Sequence, residues 1–558
     1  MIEIKDRWGL AKKGIWELED QKIELPNIFF LDGEDFSAPE EAELTLSEKE
    51  DPTFTLPGSF FKPSAESTFP STFAYPECSG GRSLGAKGGH DRIQVIYDQE
   101  PDPEVELYVI GNAPELLQRA ELLYRKVIGL RKKIDQHKLI YLPGIAQPQN
   151  IALFTYLGVD LFDSAFSELL TLKNVELSDW MSFPGDPQKS NVNLLRELKL
   201  IRKGIEHGRI RELVESRVRA EPWMVEVLRY ADEDYSVFSK GTPVTGDEVY
   251  VTTRESLNRP DVERYIRRIR TRYEPPERDI LLLLPCSARK PYFRSRTHRR
   301  IRDATQQGDW TALQELILTS PLGAVPRELE LFYPAQHYDI PVSEQWFQEE
   351  KELILNQVKE VMSKRTYKTV ISHLPKNMSF VPENIGCVDT AEGDHPTSAE
   401  AIDRLAEAVK EFAGEERGDV QHYLQQNLTS FTRFQFAEGG EALLEGAEVK
   451  GRYPWYRIMG GETQRGMLVP ERGLISLTLE GALELKDKDI YQVNIDDFRP
   501  KGSVFAVGVK KASPEIRPED EALVLHEDEL RGVGPASMSG EEMEKAERGE
   551  AVRLRHYS

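Results

Sequence analysis

Two consecutive prolines, Pro275 and Pro276, are the strongest constraint on how this chain folds. Neither can continue a helix, because proline lacks the amide hydrogen and its ring clashes with the preceding turn. The apolar run Asp279–Pro285 that follows is typical of a buried strand. Later elements are predicted as helices over Thr311–Leu318 and Ser343–Lys364, a strand over Tyr367–His373, and a helix that Thr397 opens with Glu400 in a capping box. This alternation predicts a doubly wound α/β domain over residues 274–415.

The segments on either side of this domain have different patterns. Before it, the apolar run Asn150–Leu161 predicts a buried strand that delivers Asp160 and Asp163 to its C-terminal end, and Asn193–Ala220 predicts two helices. After it, glycine turns and short strands predict a small α+β domain and then a compact barrel. We place these two domains at residues 416–488 and 489–558, the second with strands over Ser503–Val509 and Glu521–His526.

Charge and composition exclude several classes of protein. The 558 residues carry 72 Lys and Arg against 95 Asp and Glu, so the formal net charge is −23. Phosphate repels a uniformly acidic surface, which argues against generic nucleic-acid binding. No apolar run approaches the roughly 20 residues that span a bilayer, and the three cysteines are too far apart for a C-x-x-C metal site. We therefore predict a multidomain cytoplasmic protein with no membrane segment, no metal and no cofactor.

The charge is distributed unevenly along the chain. Residues 264–302 contain thirteen Lys or Arg and three acidic residues. A positive island in an acidic protein is what selective docking of a polyanion requires. The alternative is an arginine-rich helix face in contact with solvent.

The segment most informative for chemistry has the sequence Pro-Cys-Ser-Ala-Arg-Lys-Pro-Tyr over residues 285–292. The preceding strand would deliver Cys286 to its C-terminal end, where open α/β sheets bind their ligands. Positive charge from Arg289, Lys290 and the N-terminus of a following helix favours the thiolate, so Cys286 is predicted to be a nucleophile at neutral pH. The alternative is a structural cysteine behind a basic loop.

Two further polar residues extend this segment. If the next helix begins near Phe293, Ser295 and His298 share one face, and His298 becomes a candidate proton carrier. Substrate contacts are predicted for residues within and outside the segment, namely Ser287, Arg289, Tyr292, Gly144 and Asp160.

Candidate residues also lie elsewhere in the chain. Asp160 and Asp163 are predicted at a strand end, where carboxylates often bind ligands or catalyse, although a helix cap or a turn is an equal alternative. The polar and aromatic loop at residues 327–339 either lines a site or only connects two elements. In the C-terminal barrel, cations are predicted to contact phosphate oxygens of RNA, namely Arg548, Arg553, Arg555 and Lys510.

Residues 489–558 resemble a PUA domain, an RNA-binding barrel of enzymes that modify tRNA and rRNA. The preceding Gly473–Ala482 and residues 1–273 resemble archaeal tRNA-guanine transglycosylases, which implies a TIM-barrel-like N-terminal domain. Within it, Gly158–Ser164 resembles the segment of the catalytic nucleophile, with Asp163 at the nucleophile position. Two features of that family are missing: Ser178–Ser190 contains no zinc-binding cysteines, and Cys78-Ser79-Gly80 has cysteine at the position of the acid aspartate.

The pattern P-C-x3-K-P-Y-x2-S-x2-H, on a zinc-free relative of the transglycosylase, is similar to archaeosine synthase, alpha subunit. The sequence meets every position, with Pro285, Cys286, Lys290, Pro291, Tyr292, Ser295 and His298. The resemblance implies that the chain adds an amine to the nitrile of 7-cyano-7-deazaguanine in the D arm of tRNA. Lysine is the donor that it implies, with glutamine, asparagine or ammonium as older alternatives, and it implies a radical-SAM partner that cleaves the adduct.

The catalytic residues that follow from this resemblance are Cys286, Lys290, Ser295, His298 and Asp163. The Cys286 thiolate would attack the nitrile carbon, and His298 or Lys290 would protonate the nitrogen. Asp163 would hold the deazaguanine in the transglycosylase-like pocket. Two other functions remain, base exchange and a noncatalytic tRNA-binding subunit, and a homodimer is expected only by analogy.

Overall fold

The computed structural model describes residues 2–18, 21–32, 38–47, 93–111, 113–117, 119–171, 174–186, 188–341 and 345–558. The chain forms two compact units. The first unit is Met1–Thr242 with Phe505–Val507 and Glu542–Gly549, and the second is Pro243–Val504 with Gly508–Glu541 and Glu550–Ser558. The four domains predicted from the sequence are a finer division than these two units, and their boundaries stay predictions.

Up to Thr242 the chain alternates short strands with helices. The strands are β1 (Ile2–Trp8), β2 (Ala11–Leu18), β3 (Gln21–Leu25), β4 (Asn27–Asp32), β5 (Leu44–Ser47), β6 (Ile93–Ile96), β7 (Leu107–Ile110), β8 (Leu139–Tyr141), β9 (Leu161–Asp163), β10 (Val175–Leu177) and β11 (Ser182–Pro184). The helices are α1 (Ala113–Leu116), α2 (Ala120–Lys133), α3 (Ile151–Tyr156), α4 (Ala165–Thr171), α5 (Gln188–Glu206), α6 (Ile210–Arg217), α7 (Pro222–Glu233) and α8 (Tyr235–Phe238).

The main sheet of the first unit is parallel, with the strand order β5-β4-β9-β8-β7-β6. Its residues alternate between two apolar cores, so that Ile28 and Phe30 pack in one while Phe29 packs in the other. The resemblance implied a TIM barrel, whereas the described strands form an open sheet. The chain between β5 and β6 includes residues 48–92, which lie outside the described part.

The predicted strand over Asn150–Leu161 is wrong for most of its length. Residues Ile151–Tyr156 form helix α3, and the strand is the short β9 that ends at Asp163. A fully buried apolar run does not by itself distinguish a helix from a strand, and here the run is buried as a helix. The two helices predicted over Asn193–Ala220 are confirmed as α5 and α6, which are separated at Gly208.

From Pro243 onward the helices are α9 (Pro260–Thr271), α10 (Arg296–Thr305), α11 (Gln348–Lys364), α12 (Ala399–Ala413), α13 (Val420–Phe436), α14 (Leu479–Leu485) and α15 (Gly540–Met543). The strands are β12 (Val249–Tyr250), β13 (Ile280–Pro285), β14 (Leu313–Thr319), β15 (Gly323–Pro326), β16 (Tyr338–Asp339), β17 (Thr369–Ser372), β18 (Val388–Asp389), β19 (Glu448–Arg452), β20 (Trp455–Gly460), β21 (Thr463–Val469), β22 (Leu474–Leu477), β23 (Gln492–Ile495), β24 (Ser503–Phe505), β25 (Val509–Ala512), β26 (Glu521–His526), β27 (Glu529–Pro535), β28 (Glu550–Arg553) and β29 (His556–Tyr557).

The central sheet of the second unit has the order β15-β14-β13-β17-β18. Strand β13 lies in the middle, is buried along its whole length, and pairs in parallel with both β14 and β17. The strand prediction for Asp279–Pro285 is therefore confirmed, as are the strand near Tyr367–His373 and the helix that ends at Lys364.

Two predictions for this domain are wrong. Residues 313–319 form the buried strand β14 and not the helix predicted over Thr311–Leu318. The cap of α12 is Ser398, whose hydroxyl accepts a hydrogen bond from the Ala401 amide, one residue after the predicted Thr397.

The C-terminal part of the second unit is mostly sheet. Strands β19–β22 form a four-stranded meander beside α13 and α14, in keeping with the predicted α+β domain. A five-stranded sheet follows in the order β25-β23-β26-β27-β29, and Glu521–His526 is the predicted strand β26. The strand predicted over Ser503–Val509 is interrupted, because a 3-10 turn at Ala506–Gly508 separates β24 from β25. No helix within the described residues is long and apolar enough to cross a membrane.

Candidate active site at the C-terminal end of β13

Cys286 directly follows β13 at the C-terminal edge of the central sheet and is partly exposed. The neighbours of β13 are β14 on one side and β17 on the other, so the chain leaves this strand where the strand order reverses. Open α/β sheets place their ligands at such a point. The parallel register pairs Pro285 with Leu318, and one residue further it brings Cys286 beside Thr319.

A chain of hydroxyl groups leads from Cys286 into the protein. The Thr319 side chain forms a hydrogen bond with the sulfur. Thr319 Oγ1 lies 2.5 Å from the hydroxyl of Tyr338, which lies 2.5 Å from the hydroxyl of Tyr292. Burial raises the pKa of both phenols, so they are neutral at physiological pH. Tyr292 is fully buried and supports Tyr338 through this hydrogen bond, and its predicted substrate contact stays a prediction.

Lys290 lies against the same group of side chains. Its ammonium nitrogen is 3.9 Å from the centre of the Tyr338 ring. Burial lowers the pKa of Lys290 below its ordinary 10.5, while Cys286, Asp339 and Glu248 act in the opposite direction. A lysine of lowered pKa gives up its proton more readily than an ordinary lysine, which suits acid-base catalysis.

The resting thiol is more basic than the sequence predicts. Burial raises the pKa of Cys286 above its ordinary 9.0, and this effect outweighs the hydrogen bond from Thr319 and the charge of Lys290. The predicted thiolate at neutral pH is therefore wrong for the free protein. Helix α10 begins only at Arg296, so it does not start directly after the cysteine.

Ser295 and His298 were predicted to share one face of a helix near Cys286. In the structure each of them has a structural contact instead. Ser295 is the N-cap of α10, and its hydroxyl accepts a hydrogen bond from the His298 amide at 3.0 Å. The buried His298 ring has Nδ1 2.7 Å from the Arg327 guanidinium. Burial and this charge hold the pKa of His298 well below 6.5, so the imidazole is neutral. The geometry does not support the predicted proton carrier.

Ser287 and Arg289 lie at the mouth of the site. The Ser287 hydroxyl donates to the Arg289 carbonyl at 3.0 Å, which fixes the turn, while the Arg289 side chain is exposed. A cavity of about 320 Å³ lies on the other side of His298, and Phe293, Arg327, Glu330 and Tyr453 are among its lining residues. Cys286, Lys290 and Thr319 are not among them.

The positive island at residues 264–302 divides into a buried and an exposed part. Four arginines are held inside the second unit: Arg264 by the Pro243 carbonyl, Arg268 near Asp520, Arg272 by the Tyr491 hydroxyl, and Arg278 by the Tyr423 carbonyl. Six are exposed and, within the part of the chain that the structure describes, form no ion pair: Arg289, Arg294, Arg296, Arg299, Arg300 and Arg302. Arg267 and Arg270 are also exposed but lie within ion-pair distance of Glu263 and Glu360. The second group, which follows Cys286 and extends along α10, therefore combines surface exposure with the uncompensated charge that a polyanion requires.

In the first unit, Asp163 is fully buried, and both of its carboxylate oxygens accept hydrogen bonds. One carboxylate oxygen accepts from the Tyr141 hydroxyl at 2.6 Å and from the Gly144 amide at 2.9 Å, and the other accepts from the Ala165 amide at 2.9 Å. Burial raises the pKa of Asp163 despite these donors. Gly144 thus binds the aspartate through its amide, and its predicted substrate contact stays a prediction.

Asp160 belongs to a buried ionic cluster of the first unit. Its carboxylate lies 3.3 Å from Lys12 and 3.3 Å from Arg131, and it accepts a hydrogen bond from the Ile140 amide at 2.9 Å. Both cations are buried, so Asp160 compensates their charge inside the unit. The predicted role of Asp160 in substrate binding stays a prediction.

Comparison with known proteins agrees with these features. Three family models match the chain: a domain of unknown function (DUF5591) over residues 262–409, a PUA domain over residues 496–558, and queuine tRNA-ribosyltransferase over residues 93–180. Archaeosine synthase subunit alpha of Methanosarcina acetivorans is 35% identical over 81% of this chain and 79% of its own length. Archaeosine synthase of Haloferax volcanii is 31% identical over 83% of this chain and 84% of its own length.

The chain belongs to the archaeosine synthase family. The resemblance inferred from the motif is thereby confirmed, and it places the chain in archaeosine biosynthesis. The tRNA-guanine(15) transglycosylase of Methanobrevibacter smithii is also similar, but at 25% identity over 81% of this chain and 72% of its own length.

In this archaeosine synthase family member the predicted RNA-binding residues of the PUA segment all have acidic partners. Arg548 lies 3.4 Å from Glu17, Arg553 lies 3.1 Å from Glu550, and Lys510 lies 3.0 Å from Asp496. Arg555 is bonded to the fully buried Glu521. All four cations are exposed to solvent, and Arg555 is the one whose acidic partner is buried.

Sequence reasoning missed two members of the Cys286 site, Thr319 and Tyr338. Tyr338 lies in the 327–339 loop, which the sequence left undecided, and β16 positions it by pairing with β12. Thr319 ends a strand that was predicted as a helix, so nothing in the sequence placed it beside Cys286. The predicted Cys78-Ser79-Gly80 segment lies outside the described residues.

Proposed function

We propose that the protein adds a primary amine, lysine in the first instance, to the nitrile carbon of 7-cyano-7-deazaguanine in the D arm of tRNA. The product is an amidine, which a radical-SAM partner converts to archaeosine. The names of its relatives and its PUA and transglycosylase-type segments support tRNA as the substrate. The observation that carries the chemistry is the cluster of Cys286, Thr319 and Lys290 at the edge of the central sheet.

The reaction proceeds through a covalent thioimidate. The sulfur of Cys286 bonds to the nitrile carbon, the triple bond becomes a C=N double bond, and the proton of the thiol ends on the nitrogen. The donor amine then attacks the same carbon. The carbon–sulfur bond breaks, the thiol regains a proton from the amine nitrogen, and the amidine is released. Nitrile and amine together contain all the atoms of the amidine, so no further reactant is needed.

Lys290 carries the proton between these steps. Its lowered pKa makes the neutral amine accessible, and the neutral amine can accept the proton of Cys286 as the sulfur attacks. The resulting ammonium then protonates the nitrile nitrogen. Thr319 stabilises the charge on sulfur through its hydrogen bond, and Tyr338 and Tyr292 hold Thr319 in place.

The exposed arginines that follow Cys286 provide the surface for the nucleic acid. Six guanidinium groups without ion pairs in the described part of the chain would attract the phosphate backbone, although the net charge is −23. Their position in the sequence next to Cys286 supports attack on a tRNA-bound base at this edge.

Mass spectrometry of the modified nucleoside tests the proposal. Purified protein is incubated with tRNA that contains 7-cyano-7-deazaguanine and with isotopically labelled lysine, glutamine or ammonium in separate reactions. We expect a gain equal to one lysine with the ribose bond intact. Release of free 7-cyano-7-deazaguanine would instead identify base exchange, the function for which Asp163 would be the nucleophile. No change with any donor would indicate a noncatalytic tRNA-binding subunit.

A further inference from the structure

The meander β19–β22 has one face that is charged and aromatic. Antiparallel pairing places Lys450 opposite Arg457, and Arg452 opposite Trp455. Residues directly opposite each other, and residues two apart on one strand, point to the same side of a sheet. These four side chains therefore share one face, and all four are exposed.

The electrostatics of this face are unfavourable for the isolated protein. Like charges directly opposite each other destabilise a sheet, and here Lys450 faces Arg457. Lys450 lies 3.3 Å from Glu448, its neighbour on the same strand. Neither Arg452 nor Arg457 has an acidic partner within ion-pair distance in the described residues. In a chain of net charge −23, a face with two uncompensated arginines indicates an anionic ligand.

Trp455 adds an exposed aromatic surface beside these charges. It is 53% exposed, more than any other tryptophan in the described part of the chain. An indole ring beside guanidinium groups is the combination with which proteins bind unpaired nucleotides, because the ring stacks on a base while the cations contact phosphates.

The opposite face of the same hairpin is fixed to the active-site segment. Tyr453 donates a hydrogen bond to Glu330 at 2.8 Å, and its ring lies 4.9 Å from Phe293, which follows Tyr292 in the motif. Tyr456 lines the cavity beside His298. One side of the hairpin is thus packed against the active-site segment. The side with Lys450, Arg452, Trp455 and Arg457 is open to solvent and held in place by that packing.

We propose that an unpaired nucleotide of the bound tRNA stacks on Trp455, while Lys450, Arg452 and Arg457 hold the adjacent phosphates. The inference takes tRNA as the partner from the proposed function, and it adds a binding surface outside both the Cys286 site and the PUA segment. Stacking distinguishes it from attraction by charge alone, because the indole contributes whatever the salt concentration.

Equilibrium binding of tRNA at several salt concentrations tests this surface. We expect Trp455→Ala to weaken binding at least about fivefold at every salt concentration, and Trp455→Phe to retain most of the affinity. Arg452→Glu with Arg457→Glu should weaken binding and flatten the plot of log affinity against log salt by about 0.7 to 1 for each lost phosphate contact. Lys359→Glu with Lys376→Glu, two exposed lysines elsewhere in the second unit, is the matched control.

The binding measurement separates this inference from the proposed function. The inference would be overturned if both hairpin variants bound tRNA with unchanged affinity and salt dependence and unfolded at the same temperature as wild type. This outcome does not depend on whether the protein forms amidine. Equal weakening by the control pair would also overturn the inference, because the effect would then be net charge alone. Wild-type protein that forms no amidine but binds tRNA through Trp455 would overturn the proposed function and support this surface. If the hairpin variants bind tRNA normally but lose a protein partner, the face belongs to that partner.

Discussion

The ends of two buried parallel strands, β9 with Asp163 and β13 with Cys286, carry the same kind of sequence prediction and have different environments. Asp163 is fully buried and accepts three hydrogen bonds from its own unit. Cys286 is partly exposed, with one hydroxyl partner and a lysine nearby. If the proposed function holds, this contrast means that a reactive residue type at a strand end is not sufficient. The residue also needs unused bonding capacity and access to the substrate.

The largest effect on the rate should come from substituting Cys286, and the matching substitution of Asp163 should have little effect. Cys286→Ala should lower amidine formation at least about 10⁴-fold, because it removes the atom that forms the covalent bond. Asp163→Asn should leave the rate per folded molecule within about threefold. Initial rates with 7-cyano-7-deazaguanine tRNA and lysine, normalised to folded protein by circular dichroism, measure both. A large loss in Asp163→Asn with normal folding would make β9 the catalytic strand end.

The buried cluster at Asp160 should contribute to the stability of the first unit and not to the reaction. Asp160→Asn should destabilise the first unit by about 3–5 kcal/mol, because Lys12 and Arg131 would then be buried without their counter-charge. Denaturant unfolding measures the loss. An unaltered unfolding midpoint combined with weaker tRNA binding would restore the substrate contact that the sequence predicted.

The pH dependence should reveal the coupling of Lys290 to Cys286. Lys290 lowers the pKa of the thiol, so Lys290→Met should raise it further above 9.0 and move the rising limb of the pH–rate profile to higher pH. At pH 7.5 amidine formation should fall about 10²-fold, with partial recovery in more alkaline buffer.

Alkylation of the free protein by iodoacetamide across the same pH range reports the thiol directly. Arg289→Met is the matched control, since it removes a neighbouring exposed cation that does not act on the Cys286 pKa. An alkylation profile that stays the same in Lys290→Met would exclude the coupling.

The smallest expected effect belongs to Ser295. Ser295→Ala should cost about 1 kcal/mol of stability, because the hydroxyl caps α10, and should leave the rate of amidine formation unchanged. Thermal unfolding and a rate assay on the same preparation separate the two roles. A lower rate of amidine formation at normal stability would indicate that Ser295 has a catalytic role.

The elements that the sequence predicted well have unambiguous local patterns. The apolar run Asp279–Pro285 is short and has prolines before it and at its end, which favours a strand over a helix, and α5 and α6 have helical spacing with a glycine break. Residues 313–319 and 151–156 were assigned the wrong type, because both are buried on all sides and their apolar periodicity does not distinguish helix from strand.

The candidate site was only partly visible in the sequence for a related reason. Cys286 and Lys290 are close together in the chain, so a motif reveals them. Strand register brings Thr319 to the sulfur, and the β12–β16 pairing brings Tyr338 to Thr319, and both depend on the whole domain. The protonation of Cys286 depends on burial, which outweighs the nearby charge of Lys290, and that of His298 depends on burial together with the charge of Arg327.

Detection of the covalent intermediate tests the central claim most directly. Wild-type protein is incubated with 7-cyano-7-deazaguanine tRNA without an amine, quenched, digested with nuclease and protease, and examined by mass spectrometry. The account predicts that the peptide with Cys286 gains the mass of the modified nucleotide, and that added lysine removes this mass and yields the amidine. An unmodified Cys286 peptide, together with amidine formation by Cys286→Ala at the wild-type rate, would contradict it.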